Sequence, residues 1–153
     1  MDQEILKELL KEQMKILDSA SAVLLESYKR VELILKQADT QPLTSTQKES
    51  CEALTARFAR LCDFIFQKVF RSIDQMELQD EGSAIDRLNR MEKRKIIESS
   101  SSWRELRDLR NEIAHEYLIE KSDRVLEEAF RRTDELIATA KACKDYIHKK
   151  KYL

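Results

Sequence analysis

Arg110, His115 and Tyr117 stand within the octapeptide RNEIAHEY, residues 110–117, in a chain that has only two histidines. Histidine titrates near neutral pH and can take or give a proton, and an arginine is a cation at every accessible pH. Those are the two things that cleaving RNA without a metal requires. One group must move the proton of the attacking 2′-hydroxyl, and a fixed positive charge must stabilise the charge that builds on the phosphate. The sequence offers no other catalytic arrangement of this kind: there is no phosphate-cradling Gly-rich loop, no Gly-x-Ser-x-Gly elbow and no carboxylate pair of catalytic type.

Each residue also has an ordinary reading. Arg110 could snorkel or pair with an acidic residue of a neighbouring helix, Tyr117 could be a packed tyrosine with its hydroxyl at the rim, and His115 alone could be a surface histidine. A helical wheel at about 100° per residue puts Leu106, Leu109, Ile113 and Tyr117 on one apolar face, with Arg110 falling among them. His115 lies about 180° from Leu106, with Asn111 one turn before it, so both should face solvent or a partner rather than the core. Arg110 is about 140° from His115, which requires either a distorted helix or an arginine that reaches round its flank.

The elements that carry these residues follow from composition and periodicity. The chain has 153 residues, 42% hydrophobic and 37% charged, with one Gly and one Pro. So little turn-forming material predicts an all-α protein, and the length predicts one domain spanning residues 1–153. The net charge of −1 excludes a globally basic nucleic-acid binder, so any such surface must be local. Cys51, Cys62 and Cys143 are odd in number and widely spaced in apolar context, which fits neither a disulfide framework nor a zinc site and suggests a reducing, cytoplasmic setting. The charged opening MDQEILKELLKEQ and the absence of a long apolar run predict neither a signal peptide nor a membrane span.

Five helices are expected, as an up-and-down bundle. The first runs from about Asp2 to Ala38, with Ile5, Leu6, Leu9, Leu10, Ile16, Leu17, Leu24, Tyr28, Val31 and Leu35 as its apolar face. Pro42 breaks it, and Thr46 with Glu49 can form a capping box for a second, aromatic-rich helix reaching about Leu78. That helix should supply the central packing through Leu54, Phe58, Leu61, Ile65, Val69, Phe70, Ile73 and Met76, widened by Cys62 and Phe66. Gly82 marks a break and Ser83 can cap a short third helix. Ser102 with Glu105 can cap a fourth, running from Trp103 to about Leu118. Ser122 can cap the fifth, whose stripe includes Val125, Leu126, Phe130, Leu136, Ile137, Ala140 and Tyr146 and which frays at HKKKYL.

With those elements in place, the Arg, polar residue, spacer, His, x, Tyr pattern of Arg110, Asn111, His115 and Tyr117 resembles the HEPN domain family, and within it the HepT-like toxins paired with minimal nucleotidyltransferases. The likeness extends to a plan of about five helices with the motif on the penultimate one. It implies a metal-independent endoribonuclease of a toxin–antitoxin module that needs no cofactor and works as a homodimer, with the motif helices of two protomers facing across a shared cleft. By the same resemblance His115 would act as general base or acid, Arg110 would stabilise the phosphorane, and Asn111 would orient the histidine or the phosphate. Tyr117 would be the residue that the cognate nucleotidyltransferase antitoxin adenylylates.

Basic residues gather near the motif. Arg104, Arg107 and Arg110 recur every three residues, and RLNRMEKRK supplies Arg87, Arg90, Lys93, Arg94 and Lys95 just before them. They could form a track for RNA phosphates, with Arg104 and Arg107 as its binding residues, or a helix face compensated by Glu and Asp. Trp103 could stack on a base or pack beneath the serine loop, and His148 with its following lysines suits a solvated helix end. Two other readings use the same bundle: a non-catalytic subunit that presents substrate or nucleotide to a separate nucleotidyltransferase, and a purely structural interaction module. Having both Arg110 and His115 favours the nuclease.

Overall fold

The computed structural model describes residues 2–37, 41–115 and 119–153, and the side-chain surroundings of all of these except residues 119–122. The described residues are all-α: α1 (Gln3–Gln37), α2 (Ser45–Phe64), a π-helical segment (Ile65–Phe70), α3 (Arg71–Met76), α4 (Ala84–Lys93), α5 (Ser100–Ala114) and α6 (Ile119–Lys149). α2, the π-helical segment and α3 follow one another without a break, so five rods result. None of the described helices is long and apolar enough to cross a membrane.

α1 buries a narrower face than its apolar residues suggest. Leu10, Leu17, Leu24 and Val31 recur every seven residues, as do Leu6, Gln13, Ser27 and Ile34 once the half-buried Ala20 is counted, and these are the positions that go inside. A seven-residue repeat is the seam of a coiled-coil-like contact, and residues flanking it stay at the surface. Ile5, Leu9, Ile16 and Leu35, expected on the core face, are therefore exposed. The seam tolerates Ser27 because Arg57 of α2 donates to its hydroxyl at 2.7 Å. Tyr28 stacks on Phe130 of α6 with ring centroids 4.6 Å apart, tying the first helix to the last.

The second rod is the centre of the molecule and is packed by α1, α5 and α6. Leu54, Phe58, Leu61, Ile65, Val69, Phe70 and Ile73 are all fully buried. The π-helical turns carry an aromatic cluster, with Phe70 5.1 Å and Phe66 6.5 Å from the Trp103 ring. Trp103 is buried and donates its indole N–H to Thr139 at 2.9 Å, so it packs under the serine loop and offers no face to a base.

Helix starts are shifted from the expected caps by rival hydroxyls nearby. Thr44, not Thr46, caps α2, in a reciprocal box with Gln47. Ser99 caps α5 three residues ahead of Ser102, whose hydroxyl instead donates to Glu135 of α6 at 2.6 Å. α6 begins at Ile119, so Ser122 lies inside it, and α5 stops at Ala114 rather than Leu118. Ser83 does cap α4, boxed with Asp86. Gly82 precedes it at φ +85, where a Cβ would come within 2.5 Å of Asp86 Oδ2. Gly82→Ala should cost about 1–2 kcal/mol through αL strain and loss of the box, read as a lower thermal midpoint.

With a single glycine available, other helix ends close on residues that accept positive φ at some cost. Leu78, Lys95 and Lys151 do so, each followed by an amide that bonds back five residues: Gln79 to Asp74, Ile96 to Met91, Tyr152 to Ile147. The C-terminal stretch is consequently not frayed. Tyr152 donates its hydroxyl to Glu77 at 2.9 Å, alongside Tyr146 at 2.5 Å.

The three arginines of the basic run around α4 are spent on structure. Asp74 of α3 is fully buried and receives Arg87, Arg90 and Arg94 at 3.3, 2.8 and 2.6 Å. Arg94 also reaches Glu77 at 3.1 Å and Arg87 reaches Asp80 at 2.9 Å. Of the two readings of that run, the compensated face holds for Arg87, Arg90 and Arg94, while Lys93 and Lys95 stay exposed.

Candidate active site

α5 is a regular helix through Ala114, and His115 is its C-cap at φ −111, ψ 18, its N–H donating to the carbonyls of Asn111 and Glu112. The helix is not distorted between Arg110 and His115; it ends. His115 is exposed, as is Asn111 one turn before it. Leu106 and Leu109 on the opposite face are buried and Ile113 is half-buried, which fixes the rotation of the helix and keeps the histidine out of the core.

Arg110 leaves the apolar face by reaching sideways to α2. Its Nε, itself buried, lies 2.7 Å from Asp63 Oδ1 without the alignment of a hydrogen bond, so the contact is a charge pair. One terminal nitrogen donates to Asn111 Oδ1 at 3.1 Å. Arg110 and Asn111 together form one wall of a cleft of about 670 Å³, which they share with Arg107. The second rod supplies the facing wall: Arg60, Asp63 and Phe64 from α2, then Gln67 and Lys68 from the π-helical turns. Wide turns of this type are often found at functional sites. The Arg107 guanidinium carbon sits over the Phe66 ring, 3.7 Å from its centroid, a cation–π contact that holds the guanidinium at the cleft edge.

Of the residues singled out in the sequence, Arg107, Arg110 and Asn111 therefore meet in one cleft. His115 stands at the end of the same helix, outside the cleft lining, and Arg104 is exposed about three turns before it and does not line the cleft. Tyr117 lies outside the described residues. Glu112 pairs with Arg124 and ties the end of α5 to the early part of α6. Sequence reasoning missed Asp63, Arg60, Phe64 and Lys68, which sit on the polar side of a helix read for its core stripe. The usable signal was Arg60, Phe64 and Lys68 at intervals of four.

The thiols contribute no nucleophile. Cys51, Cys62 and Cys143 are free and buried, and burial pushes all three upward, Cys62 to about 12. Among the described residues no cluster of His, Cys, Asp or Glu is placed to hold a metal ion.

A family model described as Ribonuclease HepT-like matches residues 24–143. The chain belongs to the HepT-like ribonuclease family. The matched span takes in the second rod, α4, α5 and the octapeptide from Arg110 to Tyr117. Membership of the HepT-like ribonucleases makes RNA the implied substrate class. No curated protein and no solved structure matches the chain.

Proposed function

We propose that this HepT-like chain is a metal-independent endoribonuclease, the toxin of a module whose antitoxin is a minimal nucleotidyltransferase, and that its residues 1–153 act as one domain. The observation that carries the reading is the position of the motif: Arg110 and Asn111 open into a cationic cleft while His115 stands exposed at the end of the same helix. Five residues of regular helix separate arginine and histidine by about 140°, so one protomer does not aim both at one phosphate. A twofold dimer does, if the end of α5 in one protomer meets the cleft of the other, and the two sites then form as a symmetric pair.

In that arrangement His115 takes the 2′-hydroxyl proton, the oxygen attacks the adjacent phosphorus, the P–O5′ bond breaks, and the 5′-oxygen of the next nucleotide leaves with a proton taken from water. Arg110 holds the charge on the phosphorane and Asn111 keeps Arg110 and the phosphate in register. The products are a 2′,3′-cyclic phosphate and a 5′-hydroxyl. Cleavage by the purified, unmodified protein in EDTA, with the ends analysed for the cyclic phosphate, tests this. An inert protein of confirmed unmodified mass would replace it with the non-catalytic subunit that serves a nucleotidyltransferase.

Tyr117 is the proposed adenylylation site, two residues beyond the histidine. A bulky anion so close in sequence to the histidine would repel the RNA phosphates on which the histidine acts. Co-expression with the cognate nucleotidyltransferase should add AMP units to the intact mass, and Tyr117→Phe should abolish the addition. A wild-type mass that does not change would remove the tyrosine from the mechanism.

A further inference from the structure

The cleft beside Arg110 holds more positive charge than the cleavage chemistry uses. Of its four cations, Arg110 is paired with Asp63, while Arg60, Lys68 and Arg107 have no ion-pair partner among the described residues. Arg87, Arg90, Arg94, Arg131 and Arg132, by contrast, each sit on a carboxylate. In a chain of net charge −1, three uncompensated cations around one concavity make a local anion site.

The site also has an aromatic component. Arg60, Phe64 and Lys68 follow one another at intervals of four residues along the cleft side of the second rod. Phe64 is half-buried, packed inward on the core and outward on the cleft. Arg107, its guanidinium carbon over Phe66, has no carboxylate on its N–H groups among the described residues and leaves them for an anion. Cations on either side of an aromatic ring that lines a cleft are the arrangement that binds single-stranded nucleic acid, with phosphates on the cations and a base on the ring. An acidic protein surface would engage the cations but has no use for the ring between them. A base reaches such a ring only when unstacked, which a duplex does not allow.

We infer that this cleft is a subsite for one unpaired nucleotide of the RNA, next to the bond that is cut: Arg60, Lys68 and Arg107 take the backbone phosphates flanking it, and its base lies on Phe64. The inference rests on the ribonuclease reading only for the cut bond beside Arg110. The volume of about 670 Å³ suits one nucleotide and not a helix.

Fluorescence anisotropy with a labelled 2′-O-methyl oligoribonucleotide tests it, because that probe lacks the attacking hydroxyl and reports binding whether or not the protein cuts. Arg60→Ala and Lys68→Ala, both at exposed positions, should each weaken binding about tenfold at low salt and reduce the slope of log affinity against log salt by about 0.7. Phe64→Leu, with folding checked by its melting curve, should weaken the single strand about tenfold and leave the same sequence in a duplex unaffected. Wild-type affinity in the Arg60 and Lys68 variants would overturn the subsite and leave the cations for an acidic protein surface. Equal binding of single strand and duplex, both insensitive to Phe64→Leu, would overturn the single-nucleotide assignment. The ribonuclease reading fails separately: a wild type that binds this probe through Arg60 and Lys68 but cuts no RNA keeps the subsite and loses the nuclease.

Discussion

His115→Ala is expected to slow RNA cleavage in EDTA about a thousandfold and Arg110→Ala by about a hundred- to a thousandfold, with both proteins folded as the wild type. The folding expectation follows from position. His115 is exposed at a helix end, and Arg110 contributes a half-exposed charge pair rather than core packing. Arg110→Lys should remain impaired, because a point charge does not reproduce the fork that addresses Asp63, Asn111 and a phosphate together. The two inactive variants also interrogate the dimer. If each site takes arginine from one protomer and histidine from the other, mixing them should restore about a quarter of the wild-type rate, since half the dimers are mixed and each has one intact site. Cleavage by either variant at the wild-type rate would remove RNEIAHEY from the chemistry. Two inactive variants that fail to rescue one another after subunit exchange would place each site within one protomer.

The second large effect is on stability. Asp74→Ala should destabilise the fold by about 3–5 kcal/mol, a drop of about 10 °C in the melting midpoint, because it strands Arg94 and the half-buried Arg87 and Arg90 without their shared carboxylate. Burial opposes ionisation of Asp74, but hydrogen bonds and charge from Arg90 and Arg94 outweigh it and hold the carboxyl below its ordinary value. Glu77 follows the same balance, with Tyr146, Tyr152 and Arg94 prevailing over burial. A carboxyl lowered in the folded state contributes stability that is fully present above its unfolded value, about 3.9 for Asp and 4.3 for Glu, and that is lost as pH falls through the folded value. Acid unfolding should therefore set in below about pH 4, and Asp74→Ala should flatten that limb. A melting midpoint for the variant within a degree of the wild type would show that the arginines find other partners.

Much of the site was legible because it lies along one helix. The spacing of Arg110, Asn111 and His115 follows from the chain itself, and the wheel assigns His115 to the solvent side because Leu106 and Leu109 claim the other. Arg110 was ambiguous at that level. Among apolar neighbours an arginine can snorkel, pair or point into a cleft, and the choice depends on which residue of another helix stands opposite. Asp63 is 47 positions earlier in the chain, and nothing local to either residue announces the pair. The basic run in α4 shows the same limit from the other side. Arg87, Arg90 and Arg94 have the composition of a phosphate track, and Asp74 and Glu77 across the turn consume them.

By itself the sequence determined that the protein is helical, where its breaks fall to within a few residues, and which octapeptide could carry acid–base chemistry. Those properties depend on periodicity, on the scarcity of Gly and Pro, and on residue types, all of which are local. The tertiary structure alone decided which apolar residues of α1 lie on its seven-residue seam, which serine or threonine won each cap, and which cations remain uncompensated. Each of these is a competition between groups distant in sequence, settled by which partner packing brings within a few ångströms. For that reason the cleft of Arg60, Phe64, Lys68 and Arg107 beside Arg110 became visible only in three dimensions.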